Sequence, residues 1–110
     1  MMTVNKGYNN GFEEYTMEYI YNDAPGCVVM GIKSWNRSEI VNALIRSRYS
    51  QDRVEAIINN HFLAIGEWLE KKLTGSEESF VDEEYDKLQE WRSQCKLWAD
   101  EALAKYPPVE

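Results

Sequence analysis

Apolar and polar side chains alternate along residues 12–21, which is the two-residue period of a β-strand. Tyr15, Met17 and Tyr19 fall on one side of that alternation. Residues 22–26 are rich in turn formers, and residues 27–32 form a short apolar run. We therefore predict a β-hairpin from residues 12–21 and 27–32. Two alternatives stay open: residues 12–21 are partly helical, or the hairpin joins the sheet of another copy, since an isolated hairpin is marginal in water.

Beyond residue 36 the apolar positions recur at steps of three and four, the period of an amphipathic helix. The first helix is predicted over residues 37–48, with Asn36 as its N-cap. The second begins after Ser50, also an N-cap, and ends at residue 73, before Gly75, which suits a left-handed helix end. Its apolar face is broad and comprises Val54, Ile57, Ile58, His61, Phe62, Ile65, Trp68, Leu69 and Leu73.

A third helix is predicted to begin after Ser79 and to stop before the two prolines at 107–108. At about 25 residues it would be roughly 38 Å long and would cover the other two helices. Its apolar face comprises Val81, Tyr85, Leu88, Trp91, Cys95, Trp98, Ala102 and Tyr106. In the second helix, the pair Asn59-Asn60 and Gly66 are weak points at which the helix bends or breaks in an alternative interpretation.

These elements predict one α+β domain, mainly α, over residues 12–106: an N-terminal β-hairpin followed by a three-helix, bundle-like unit. Residues 1–11 are polar and rich in Gly and Asn, and are predicted as a flexible leader. Residues 107–110 are predicted as a tail. A chain of 110 residues fits one domain and can bury a sizeable core.

The formal net charge of −7 opposes binding to nucleic acids and anionic membranes. Direct nucleic-acid binding is therefore not expected, whereas a basic protein partner would be favoured. No stretch approaches the roughly 20 apolar residues that cross a bilayer, and residues 1–11 do not resemble a secretory signal. We expect a soluble cytoplasmic protein.

The chain has only one histidine and two cysteines. Cys27 and Cys95 are far apart in sequence and are predicted to be small core residues. His61, the single histidine, is predicted to lie in the core or at a helix boundary, because no nucleophile motif surrounds it. Glycine-rich phosphate loops and calcium-loop spacing are absent from the sequence. We expect no enzyme activity, no catalytic residue, no metal and no cofactor.

Basic residues concentrate around the turn between the first two helices. Residues 33–53 carry five basic and two acidic side chains, whereas residues 74–110 carry four basic and ten acidic ones. Arg46, Arg48 and Arg53 bracket that turn and are a candidate anion site, since guanidiniums beside a helix N-terminus bind phosphate groups. The alternatives are that they pair with acids of the third helix, are solvated, or contact nucleic acid.

Acidic residues cluster at the start of the third helix. The candidate acidic interaction face comprises Glu78, Asp82, Glu83, Asp86 and Glu90. The simplest interpretation is a solvated helix start favoured by the helix dipole. The functional alternative is contact with a basic partner, including mimicry of a nucleic-acid backbone.

Two segments, NALIRSRYSQDRVEAIINNHF at residues 42–62 and WRSQCK at residues 91–96, resemble short uncharacterised proteins encoded by bacteriophages and prophages of gut anaerobes. In those proteins an Ile-Arg-x-Arg-Tyr-Ser segment precedes a second helix, and an acidic helix bearing Trp-Arg follows. The resemblance implies a phage-accessory context and brings no activity with it.

We interpret the chain as a non-enzymatic interaction or assembly module, an accessory protein of a phage or prophage that binds another protein or its own copies. One alternative is an acidic inhibitor that occupies the nucleic-acid-binding surface of a host protein. Another is a binder of a small anionic ligand at Arg46, Arg48 and Arg53.

Overall fold

The structure is a computed structural model that describes residues 2–21, 27–32 and 34–107. The described residues form three strands followed by three helices. These are β1 (Met2–Asn9), β2 (Phe12–Tyr19), β3 (Cys27–Ile32), α1 (Arg37–Arg46), α2 (Gln51–Leu73) and α3 (Glu83–Lys105). The predicted class is confirmed: the chain is α+β, with an N-terminal hairpin followed by three helices.

Residues 2–9 of the segment predicted as a flexible leader are instead the first strand of the sheet. β1 pairs with β2 in antiparallel fashion along its whole length, from Met2 opposite Tyr19 to Asn9 opposite Phe12. Asn10 and Gly11 form the two-residue turn, with φ of 53° and 84°. Positive φ at both positions is the requirement of a type I′ turn, and Asn-Gly satisfies it at low cost. The domain therefore includes β1, and the sheet has one strand more than predicted, in the order β1-β2-β3.

Gly11→Ala should destabilise the fold by about 1–2 kcal/mol, because a Cβ at positive φ is strained. Steric contact does not contribute, since no atom lies within 4 Å of a Cβ built at Gly11. Gly7→Ala is the matched control. Gly7 is equally open but has no positive φ, so alanine there should be neutral or slightly stabilising. Urea unfolding of both variants measures the difference, and equal stabilities would contradict this account of the turn.

A bulge in β3 decides which of its side chains enter the core. Met17 lies opposite Val29, whereas Tyr15, two residues earlier, lies opposite Ile32. β3 therefore holds one extra residue here, and Gly31, with φ of 71°, supplies the unusual conformation. Val29 and Ile32 are three residues apart and would face opposite sides of a regular strand, yet both are buried. The turn predicted at residues 22–26 lies outside the described residues.

The N-caps predicted for the first two helices are confirmed. Asn36 accepts from the backbone N–H of Glu39 at 3.0 Å, and Ser50 accepts from that of Arg53 at 3.1 Å. α3 begins later than predicted: Asp82, not Ser79, is its N-cap. The carboxylate of Asp82 has a second contact, described below, which fixes the helix start there. α2 is one continuous helix through residues 59, 60 and 66.

The core lies between one face of the sheet, α1 and the second half of α3. Met17, Ile40 and Leu44 are fully buried there, and Trp91 and Cys95 meet them from α3. The remaining buried residues of this cluster are Val4, Tyr15, Tyr19, Val29, Ile32, Val41, Trp98, Ala99 and Ala102. Cys95 thus has the core position predicted for it, whereas the side chain of Cys27 lies outside the described part of the chain.

α2 lies away from this core. It packs against α3, and within α2 only Ile57 is buried. The molecule is elongated, with extents of 63 × 27 × 21 Å. We call α2, residues 74–82 and the first turns of α3 the arm. Among the helices of the described chain, none is both long and apolar enough to cross a membrane.

Candidate functional site

The apolar face of α2 is wider than the surface that α3 covers. Ile57, His61 and Trp68 point towards α3 and the segment before it. A second row is rotated by about a quarter turn around the helix axis. We call this row the α2 stripe; it comprises Ile58, Phe62, Ile65, Leu69 and Leu73.

The α2 stripe is open to solvent over most of its length. Phe62 is 65% exposed, Leu69 49% and Leu73 88%, while Ile58 and Ile65 are partly buried. Steps of four, three, four and four residues keep the row on one side of the helix for about 22 Å. Contiguous exposed apolar surface of this kind is typical of interaction sites, whereas single exposed apolar residues are not informative.

His61 and Trp68 hold the arm together. The His61 ring stacks on Tyr85 with a centroid distance of 3.5 Å and an interplanar angle of 8°. Its Nδ1 lies 2.9 Å from Asp82 Oδ2. Further along α2, Trp68 Nε1 donates to the carbonyl of Glu78 at 2.8 Å. These contacts fix the connection between α2 and α3. His61 was predicted to lie in the core or at a helix boundary; it lies in the middle of α2, outside the core cluster, and contacts the N-terminal end of α3.

The Asp82 carboxylate accepts hydrogen bonds from two partners. Oδ2 accepts from His61, and Oδ1 accepts from the backbone N–H of Tyr85 at 3.1 Å as the N-cap of α3. These hydrogen bonds, that from His61 first, hold the pKa of the Asp82 carboxyl below its usual range. Asp82 therefore lies inside the arm and is not part of an exposed acidic face.

A lowered pKa at Asp82 should make stability depend on pH in the acid range. The unfolded chain takes up this proton at a higher pH than the folded one, so this stabilisation is complete above about pH 4 and is lost as the pH falls through the folded pKa. Asp82→Asn keeps a cap oxygen but does not titrate. Between pH 6 and pH 3 it should lose less stability than the wild type, measured by urea unfolding.

Glu90→Gln is the control for that experiment, since it removes an exposed carboxylate from the outer face of α3. It should retain the wild-type loss of stability in acid. A loss in Asp82→Asn as steep as in the wild type would contradict the role given to the carboxylate.

The other predicted acidic residues divide into two groups. Glu83, Asp86 and Glu90 are exposed and follow one another at steps of three and four, so they share the outer face of α3. Glu78 is exposed in the segment before the helix. The acidic interaction face is thus a row of three carboxylates, and its binding to a basic partner stays a prediction.

The three predicted arginines do not converge. Arg48 lies over the rings of Trp91 and Tyr21, with its guanidinium carbon 4.9 and 5.3 Å from their centroids. Arg53 lies 5.2 Å from the centroid of Tyr49. Arg46 instead lines a cleft between the helices. Two of the three arginines therefore form favourable cation–π contacts with aromatic rings.

The cleft that Arg46 enters has a volume of about 300 Å³. It lies between the end of α1, the turn at Tyr49, the start of α2 and the middle of α3. Arg92 of α3 lines it from the opposite side. Sequence reasoning missed Arg92, because its place beside Trp91 on α3 does not show that it lines the same cavity as Arg46.

Cys95 and the Arg37–Asp100 pair have structural roles. Burial raises the pKa of the Cys95 thiol to about 12, so it is protonated at neutral pH. Arg37 pairs with Asp100 at 2.9 Å and ties α1 to α3. In the described residues no group of three or more His, Cys, Asp and Glu side chains is placed to hold a metal ion.

Compared with known proteins, the chain matches no family model, no curated protein and no solved structure. The geometry of the α2 stripe, the arm and the cleft therefore carries the functional argument.

Proposed function

We propose that this chain is a non-enzymatic interaction module that associates with a second copy of itself through the α2 stripe. The exposure of Phe62, Leu69 and Leu73 along one face of α2 carries the proposal. Water-exposed apolar area of this extent favours association, since its removal from water contributes about 25 cal/mol per Å².

A second copy is the occupant that the geometry favours. A straight row of apolar side chains is complementary to itself, so two copies related by a two-fold axis can pack α2 against α2 in antiparallel orientation. Over about 22 Å such a contact would bury on the order of 1,000–1,200 Å² in total, the lower end of the range for stable interfaces. We therefore expect a dimer of moderate affinity.

Charge does not oppose this contact. α2 is close to balanced, in a chain whose net charge is −7. Its basic side chains are Arg53, Lys71 and Lys72, and its acidic ones are Asp52, Glu55, Glu67 and Glu70. Two copies that meet along α2 therefore avoid the row of carboxylates on the outer face of α3.

The β1 edge of the sheet is a less favourable route to association. Lys105, at the end of α3, donates from Nζ to the carbonyl of Val4 in the edge strand β1 at 2.9 Å. A strand added at this edge would have to displace the ammonium group. Covering an edge strand with a group from another element is a common protection against edge-to-edge pairing.

Among the described residues, the histidine and the free cysteine both have structural contacts, which supports a non-enzymatic role. His61 is held between Asp82 and Tyr85, and the Cys95 thiol is protonated in the core. The resemblance of residues 42–62 and 91–96 to phage-encoded proteins supports an accessory role, with dimerisation as its structural contribution.

The test is the mass of the wild-type protein in solution, measured by light scattering and sedimentation between about 1 μM and 1 mM, the range in which moderate dimers change occupancy. We expect the mass to rise from one copy to two. The dimer should persist in high salt, because apolar contacts are not screened. A monomer across the whole range would contradict the proposal.

A further inference from the structure

Two arginines line the cleft between α1, α2 and α3. Arg46 and Arg92 lie there together with the amides of Asn42 and Gln51, and the described part of the chain contributes no carboxylate to its wall. Among the described residues neither arginine forms an ion pair with an acid. Two basic residues that line one cavity in a chain of net charge −7 indicate a site for an anion.

We propose that this cleft binds a phosphate monoester group on a small molecule. Two guanidiniums supply two positive charges and two planar donor forks, which match the geometry of a phosphate. A phosphate monoester carries about −1.5 to −2 charges at pH 7, so it compensates both arginines. A carboxylate, with one charge, compensates only one of them.

The surroundings of the two arginines suit such a group. α2 starts at this cleft, and Gln51, its first residue, lines the cavity. The first backbone N–H groups of a helix and its dipole favour an anion at this end. Tyr49 also lines the cleft, and Arg53 lies against its ring.

Size limits the ligand. The cavity of about 300 Å³ is at the small end of ligand pockets, which run from about 300 to 1,000 Å³. Ile45 and Val54 contribute an apolar part of its wall. The cleft therefore fits a phosphate with a short organic body. It is separate from the α2 stripe, so the two proposals can fail independently.

The experiment is a titration of the ¹⁵N-labelled wild-type protein with methyl phosphate at constant ionic strength, followed by backbone amide shifts. Inorganic phosphate, sulfate and acetate are the comparison anions. We expect saturable shifts centred on Arg46, Tyr49, Gln51 and Arg92. Methyl phosphate should bind about tenfold or more tightly than acetate, because acetate satisfies one guanidinium only.

Variants distinguish phosphate binding in this cleft from non-specific attraction of anions to basic residues. Arg46→Ala and Arg92→Gln should each weaken methyl phosphate binding by about tenfold, the effect of losing a charge-assisted contact. Arg46→Lys retains the charge without the fork and should bind with intermediate affinity. Arg37→Ala is the matched control, because Arg37 is exposed and paired with Asp100 away from the cleft. Its affinity should equal that of the wild type.

Thermal unfolding of each variant verifies that it is folded, and Arg46, which is exposed, provides a substitution with little structural cost. Linear, unsaturated shifts spread over many basic residues would overturn the proposal. Equal affinities of Arg46→Ala, Arg92→Gln and Arg37→Ala would also overturn it. Phe62→Glu, which alters the α2 stripe, should leave phosphate binding unchanged.

Discussion

Trp91→Ala should lower the free energy of unfolding by about 3–5 kcal/mol, the range for truncating a large buried aromatic side chain. Trp91 is only 1% exposed. Its ring centroid lies 5.0 Å from that of Tyr21, 5.1 Å from that of Tyr19 and 5.6 Å from that of Trp98. Arg48 covers the same ring. Alanine would remove contacts to the sheet and to α1's end at once, and the melting temperature should fall by about 12 °C or more.

Trp91→Phe tests whether packing or hydrogen bonding at the indole matters. Trp91 Nε1 is buried without a hydrogen-bond partner among the described residues, so phenylalanine gives up no hydrogen bond. We expect a loss of about 1–2 kcal/mol, from the smaller ring alone.

Leu97→Ala is the control for the Trp91 variants, because Leu97 is exposed on the outer face of α3 and its truncation should change stability by less than about 0.5 kcal/mol. Urea unfolding followed by far-UV circular dichroism suits all three variants, since tryptophan fluorescence changes with the substitution itself. A loss below about 1.5 kcal/mol in Trp91→Ala would contradict the central position given to this ring.

Phe62→Glu should raise the dissociation constant of the dimer by at least about a hundredfold, because it would bury a carboxylate with no partner within an apolar contact. Leu63→Glu provides a close control. Leu63 is the next residue, is 68% exposed against 65% for Phe62, and points about 100° away around the helix axis. It should leave the dissociation constant within about twofold of the wild type.

The comparison is made by sedimentation over a concentration series of wild type, Phe62→Glu and Leu63→Glu. Both substitutions place a glutamate at an exposed site of α2, so the monomers should be equally stable, and urea unfolding at low concentration verifies this. If both variants weaken the dimer equally, the effect reflects net charge and the α2 stripe is not the interface. If neither does, the copies meet through another surface.

The helices could be predicted from local signals. Asn36 and Ser50 satisfy backbone N–H groups within their own first turn, so the sequence alone identifies α1 and α2. β1 was missed because Asn5, Gly7 and Asn9 interrupt the alternation of apolar and polar residues that is typical of a strand. The signal that identifies it is Asn10-Gly11 between Tyr8 and Phe12, a two-residue hairpin turn with a defined backbone requirement.

The division of the α2 face could not be predicted locally. Nine residues of α2 form one broad apolar face in the sequence, and which of them are covered depends on where α3 begins. That start is set by Asp82, whose carboxylate reaches His61 on another helix. The arginine cleft has the same character: Arg46 and Arg92 are 46 residues apart, and only the packing of α1 on α3 brings them together.

The length of the arm has a consequence for what a dimer could do. Each copy is 63 Å long. Two antiparallel copies that overlap over the length of their α2 helices would form a rod of about 90 Å. The two sheets would be presented at opposite ends, held at a fixed separation by helices. Such a rod is a rigid bivalent spacer: it can engage two sites on a repetitive target only when their separation matches its own, and its avidity then depends on that match.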